Sequence, residues 1–145
     1  MNRLKGDKSI ALFQTKDFNS QSISYYDFTI YSWDLGETEK SRPIWRHYFT
    51  NAKGIIIIID SCDKDNMKKL KEEIEQILKM QEVSKCPVLV FANKQDMDNA
   101  ISVDEIKEEI DMGNWVQENQ NIVASNALNG DGINNGMKWL QSMIK

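Results

Sequence analysis

The chain has little of what marks membrane, secreted or fibrous proteins. No apolar run approaches the roughly 18 residues of a bilayer-spanning helix. The N-terminus has no apolar core of a secretory signal, and Asn2 stands where N-myristoylation requires glycine. Only 2 prolines and 7 glycines punctuate 145 residues, so there is no linker, repeat or low-complexity tract. Cysteine is scarce: Cys62 and Cys86 form no metal pattern, and both are expected to be free core thiols in a reducing compartment. An excess of basic residues is also missing. With 18 Lys and Arg against 22 Asp and Glu the net charge is −4, which excludes a general nucleic-acid binder. Finally, G-x-x-x-x-G-K-[ST] occurs nowhere. Lys5-Gly6-Asp7-Lys8-Ser9 has suitable residue types but neither the spacing nor a preceding strand.

What remains is the balance of a globular domain, 41% hydrophobic and 28% charged, long enough for one ordinary core. We therefore expect a single domain over residues 1–145. Polar and apolar residues alternate over 18–34 around Tyr26-Asp27, predicting a β-hairpin. The five isoleucines in 54–60 predict a strand buried on both faces. Met67, Leu70, Ile74, Ile77 and Leu78 form an apolar stripe within a helix over 64–80. A strand follows at 88–92. Ser102 and Glu105 form a capping-box pattern opening a helix with Ile106 and Ile110. A short strand at 122–124 and a helix over 132–144, with Ile133, Met137, Leu140 and Ile144, complete the pattern. Strand–helix alternation predicts an α/β fold with a mainly parallel sheet flanked by helices, whose ligands bind at the strand C-termini.

Polar motifs sit at those ends. Asn93-Lys94-Gln95-Asp96 follows the strand at 88–92. A carboxylate there can accept both the ring N–H and the exocyclic amine of guanine, which adenine does not offer in that arrangement. The lysine stem can lie over the base, and the asparagine can tie neighbouring loops together. A polar turn is the competing explanation, since Asn, Lys and Asp favour turns. Trp33-Asp34-Leu35-Gly36 ends the hairpin. Its Asp can hold a magnesium-bound water beside backbone N–H groups facing a phosphate, or it is simply a strand-end turn. Ala124-Ser125-Asn126-Ala127 can present backbone N–H groups to a base oxygen.

With these motifs, the segment Ser41-Arg42-Pro43-Ile44-Trp45-Arg46-His47-Tyr48-Phe49, Asp60-Ser61, Gly130-Asp131-Gly132 and Trp139-Leu140, the chain resembles the ADP-ribosylation factor (Arf) family of small GTPases over essentially its whole length. The resemblance implies a small-GTPase fold and a GTP-binding switch that recruits effectors in vesicle and membrane traffic. It implies GTP or GDP with Mg2+ as ligands, and effectors with exchange and activating factors as protein partners. Asn93, Lys94 and Asp96 become guanine-binding residues, supported by Ser125, Asn126 and Ala127. Thr15 becomes a magnesium ligand, Asp34 a magnesium residue acting through water, and Gly36 with Glu37 the phosphate-sensing turn. Phe18, Trp33 and Tyr48 match the effector-contacting aromatics, a cluster suited to an interaction hot spot, with core packing as the alternative. A cytoplasmic, endomembrane- or Golgi-associated location follows, with peripheral membrane association only through a longer N-terminus.

The match also has departures. Aligned to the family, the chain begins inside its first helix, and we expect an N-terminally truncated product lacking the first strand and P-loop. The residues that cradle phosphate are then missing, so GTP and Mg2+ binding is expected to be weak or lost. Glu37 replaces a glycine, Thr38 the water-orienting glutamine, and Asp17 a glycine of the first switch. No catalytic residue is assigned. His47, the single histidine, maps to a switch helix and is not a base. The alternative function is a nucleotide-independent interaction module retaining the effector surface.

Overall fold

The computed structural model describes residues 19–25, 28–34, 49–50 and 52–144. The chain divides into two compact units, Met1–Arg46 and His47–Lys145.

In the first unit, β1 (Asn19–Tyr25) and β2 (Phe28–Asp34) form an antiparallel pair, the hairpin that the alternation predicts. Tyr25 lies opposite Phe28, Ile23 opposite Ile30, and Asn19 opposite Asp34. Hydrogen bonding between neighbouring strands, rather than one long apolar run, defines this element.

The second unit is a three-stranded parallel sheet in the order β3-β4-β5, with β3 at Ile55–Asp60, β4 at Val88–Asn93 and β5 at Gln120–Ala124. The central strand is the core: Val88, Leu89, Val90 and Ala92 are fully buried and Phe91 nearly so. Burying each large apolar side chain stabilises by about 1.5–3 kcal/mol, so this strand outweighs any local propensity in the unit.

Among the described residues three helices with stated bounds connect and cover these strands. A 3-10 turn at Lys64–Asn66 leads into α1 (Met67–Leu78), which buries Met67, Ile74 and Leu78, and a second 3-10 turn follows at Gln81–Val83. The apolar stripe from Met67 to Leu78 thus falls wholly within α1, and the helix expected over 64–80 is shorter at both ends. Helix α2 (Val103–Glu109) starts with the predicted capping box: Glu105 N–H donates to Ser102 Oγ, and Ser102 N–H donates to Glu105 Oε2. It packs on β5 and α1. Helix α3 (Ile133–Met143) packs on β4 and β5. Gly136 permits that approach, because a Cβ there would lie 2.5 Å from the Phe91 ring.

One expectation fails at β3. Ile55 and Ile59 are buried, but Ile58 is 48% exposed and Ile56 and Ile57 are half-buried. Parallel register places Ile58 beside Phe91, yet of β3, β4 and β5 only the central strand gains full cover on both faces. The thiols also differ from expectation. Both are free, but Cys62 is half-buried. Cys86 is buried and donates to Ala52 C=O at 3.3 Å, and burial pushes its pKa up. No helix among the described residues is long and apolar enough to cross a membrane.

Candidate functional site

Parallel register makes the three strands end level. Asp60 pairs with Asn93, and Ala92 with Ala124. The loops leaving β3, β4 and β5 therefore meet at one edge, where a parallel sheet offers its ligand crevice.

Asn93 ties two of these loops. Its Oδ1 accepts from Ala127 N–H at 3.0 Å and from the Ser125 hydroxyl at 3.4 Å. Ser125 is itself nearly fully buried. Lys94 then turns the chain in the left-handed region, at φ 64°. A side chain bearing Cβ is strained there unless neighbouring contacts fix it. Several do. Lys94 Nζ donates to Asp60 Oδ2 at 2.6 Å, Met97 N–H donates to Lys94 C=O, and Gln95 N–H donates to Ser125 C=O. The Gln95 amide adds two bonds, to Ser61 Oγ at 2.8 Å and Ile101 C=O at 2.9 Å. Asp96 follows this braced segment. It is exposed, and its carboxylate accepts no hydrogen bond from a described residue. The segment therefore holds a free pair of acceptor oxygens on a fixed backbone.

Asp60 was not assigned a role from the sequence, although it stands at the end of the isoleucine run as Asn93 stands at the end of its own strand. Its Oδ1 accepts from Cys62 N–H at 2.9 Å. Burial disfavours its charge, but the hydrogen bonds from Lys94 and Cys62 prevail and its pKa falls below the ordinary 3.8. The hydrogen bond to Asp60 holds the Lys94 pKa above 10.5, against a smaller opposing effect of burial. The depressed Asp60 contributes stability above its unfolded pKa, lost as pH falls through the folded value. The raised Lys94 contributes below its unfolded pKa, lost as pH rises through the folded value. With side-chain exposures of 43% for Lys94 and 39% for Asp60, solvent screening limits the pair to about 0.5 kcal/mol. Asp60→Asn is accordingly expected to destabilise the chain by about 0.5 kcal/mol at neutral pH, a gap that shrinks at acid pH as the carboxylate protonates. Urea melts of both proteins at neutral and acid pH check this.

The loop after β5 engages its own backbone amides. Ser125 N–H donates to Ala92 C=O, Asn126 N–H to Asp131 C=O, Ala127 N–H to Asn93 Oδ1 and Leu128 N–H to Asn126 Oδ1. These amides hold the loop in place and are engaged within the protein. Asp131 pairs with Asn126, and Gly132, at φ 78°, passes directly over Ala124 C=O.

In the first unit, Trp33 and Asp34 end β2, opposite Ser20 and Asn19. Thr15, Phe18, Gly36, Glu37, Thr38 and Tyr48 lie outside the described residues. Among the described residues no group of three His, Cys, Asp or Glu is placed to hold a metal.

The model of the ADP-ribosylation factor family matches residues 1–144. Among solved structures the chain is similar to the Arl6 BBS3 small GTPase from Trypanosoma brucei, determined with the bound nucleotide analogue GppNp. The TM-score is 0.82 at 27% sequence identity, over 99% of this chain and 87% of that one.

Proposed function

The chain belongs to the ADP-ribosylation factor family, and from that membership we propose that it is a guanine-nucleotide-controlled switch recruiting effector proteins in membrane traffic. Membership makes it an Arf-like GTP-binding protein, with protein effectors and regulators as its partners. The observation that carries the site assignment is the unengaged Asp96 carboxylate on a backbone braced by Asn93, Lys94 and Gln95. Asp96 accepts the ring N–H and exocyclic amine of guanine. The Lys94 stem covers the base, while Asn93, Ser125, Asn126 and Ala127 hold the adjoining loop. An acceptor pair held on a fixed backbone rejects an analogue that leaves it unpaired, which is the source of selectivity against adenine.

Magnesium would be held by the Thr15 hydroxyl and, through water, by the Asp34 carboxylate, hard oxygen donors of the type this ion prefers. It would neutralise phosphate charge. In this reading GTP controls the presentation of the aromatic residues Phe18, Trp33 and Tyr48 to effectors. Hydrolysis is slow: Thr38 is too short to orient water, and Glu37 repels the terminal phosphate. These events take place on the cytoplasmic face of endomembranes.

Calorimetric titration of the chain with GDP and GTP plus magnesium, against ATP, tests the assignment. Guanine-specific but weak binding, about micromolar or weaker, is expected. Equal affinity for ATP and GTP would remove Asp96 from the role of base reader. An effector captured equally with and without GTP would favour the nucleotide-independent module, a reading to which Glu37 and Thr38 already lend weight.

A further inference from the structure

We propose that Gln95, the residue between Lys94 and Asp96, is a specificity-positioning residue that fixes the Asp96 carboxylate for two-point recognition of guanine. The inference rests on the guanine-binding role given to Asp96 above.

Gln95 touches three separate parts of the unit. Its side-chain nitrogen donates to Ser61 Oγ at 2.8 Å and to Ile101 C=O at 2.9 Å, and its backbone N–H donates to Ser125 C=O at 3.3 Å. Amide orientation is set by chemistry, since a carbonyl can only accept and the nitrogen must face Ile101. The partners are rigid in turn. Ser61 is fully buried, its N–H donates to Asn93 C=O, and its own C=O accepts from Ile101 N–H. One side chain thus joins the loop after β3, the loop after β4 and the residue preceding the cap of α2.

Gln95 also lies between the two residues that need support. On one side Lys94 occupies the left-handed region at φ 64°; on the other Asp96 is exposed and lacks a protein hydrogen bond among the described residues. Without the side-chain amide, the peptide after Lys94 keeps only its backbone tie to Ser125, and has more room to turn away from the strained conformation. A single hydrogen bond tolerates such rotation. Two parallel bonds from one carboxylate do not, because both oxygens must stay in register with the base. Loss of Gln95 therefore acts most on the nucleotide that uses both bonds.

Inosine diphosphate keeps the ring N–H but lacks the exocyclic amine, so the ratio of GDP to IDP affinity reads the second bond. In the full chain, Gln95→Leu keeps the size of the side chain and removes both donors. Calorimetry is expected to show GDP affinity falling about tenfold and IDP affinity about threefold, so that discrimination contracts about threefold. Equal losses for the two nucleotides, or no loss, would overturn the proposal, because a purely structural role weakens both alike. If Gln95→Leu fails to melt cooperatively, Ser61→Ala removes one anchor and keeps the Ile101 bond. It should contract the ratio about twofold, and an unchanged ratio counts against the proposal. A wild-type chain that binds GDP and IDP equally, or neither, would bring down the guanine reading itself together with this inference.

Discussion

Gly132→Ala is expected to destabilise the chain by about 3–5 kcal/mol, because two independent costs coincide at this position. Gly132 has φ 78°, a conformation that carries a penalty for any residue with Cβ. A Cβ would also lie 2.0 Å from Ala124 O and 3.3 Å from Ser125 Cα. Both obstacles are backbone, at the end of β5, and cannot rotate aside as a side chain can. Relief requires displacing the loop held by Asn93, so guanine-nucleotide affinity should fall along with the melting temperature. The remaining glycines supply internal controls. At Gly136 the clash is with the Phe91 ring, which can shift, and about 1–3 kcal/mol is expected for alanine there. Gly113 has nothing within 4 Å, so Gly113→Ala should lie within about 0.5 kcal/mol of wild type. Denaturant melts that fail to rank the three substitutions in this order would refute the packing described for α3 and its preceding loop.

Asp96→Asn is expected to act on binding and leave folding untouched. The substitution replaces an acceptor-only carboxylate by an amide that presents N–H toward donors of the base. Two charge-assisted hydrogen bonds of about 1.5–3 kcal/mol each are at stake, so GDP affinity should fall about 100-fold or more. Asp96 is exposed and has no hydrogen-bond partner among the described residues, which keeps the stability change within about 0.5 kcal/mol. Calorimetry paired with thermal melts separates the two quantities. Unchanged GDP affinity would reduce Asn93-Lys94-Gln95-Asp96 to a polar turn; a parallel loss of stability would show that Asp96 supports the fold.

Features set by local chemistry were legible in the amino-acid order. The continuous apolar run of β4 announces a strand covered on both faces, and Ser102 with Glu105 announces a helix start that forms as expected. The asparagine ending β4 ties loops as its chemistry suggests. Other features depend on distant parts of the chain. Five consecutive isoleucines carry no mark of which face lacks cover, and Ile58 is exposed for that reason. Nothing in a lysine announces a left-handed backbone, since turn chemistry ordinarily points to glycine or asparagine. Asp60, Ser61 and Gln95 stand in visible motifs but carry no assigned role there, because their ties to one another's loops span distant parts of the sequence. The loop amides after β5 seemed free in the linear chain and are consumed only when Asn93 and Asp131 come beside them.

Three of the ties at the C-terminal edge of the parallel sheet, Lys94 to Asp60, Gln95 to Ser61 and Ala127 to Asn93, each span 34 residues. None can form from a short segment. Each closes only after a complete strand–helix–strand crossover has docked, and such non-local contacts are entropically late in folding. During synthesis the edge cannot assemble before residue 127 has left the ribosome. A nucleotide that engages it selects chains whose β3, β4 and β5 have already joined, and adds its binding free energy to that state alone. The same bonds that orient a ligand thereby let it discriminate finished from unfinished molecules.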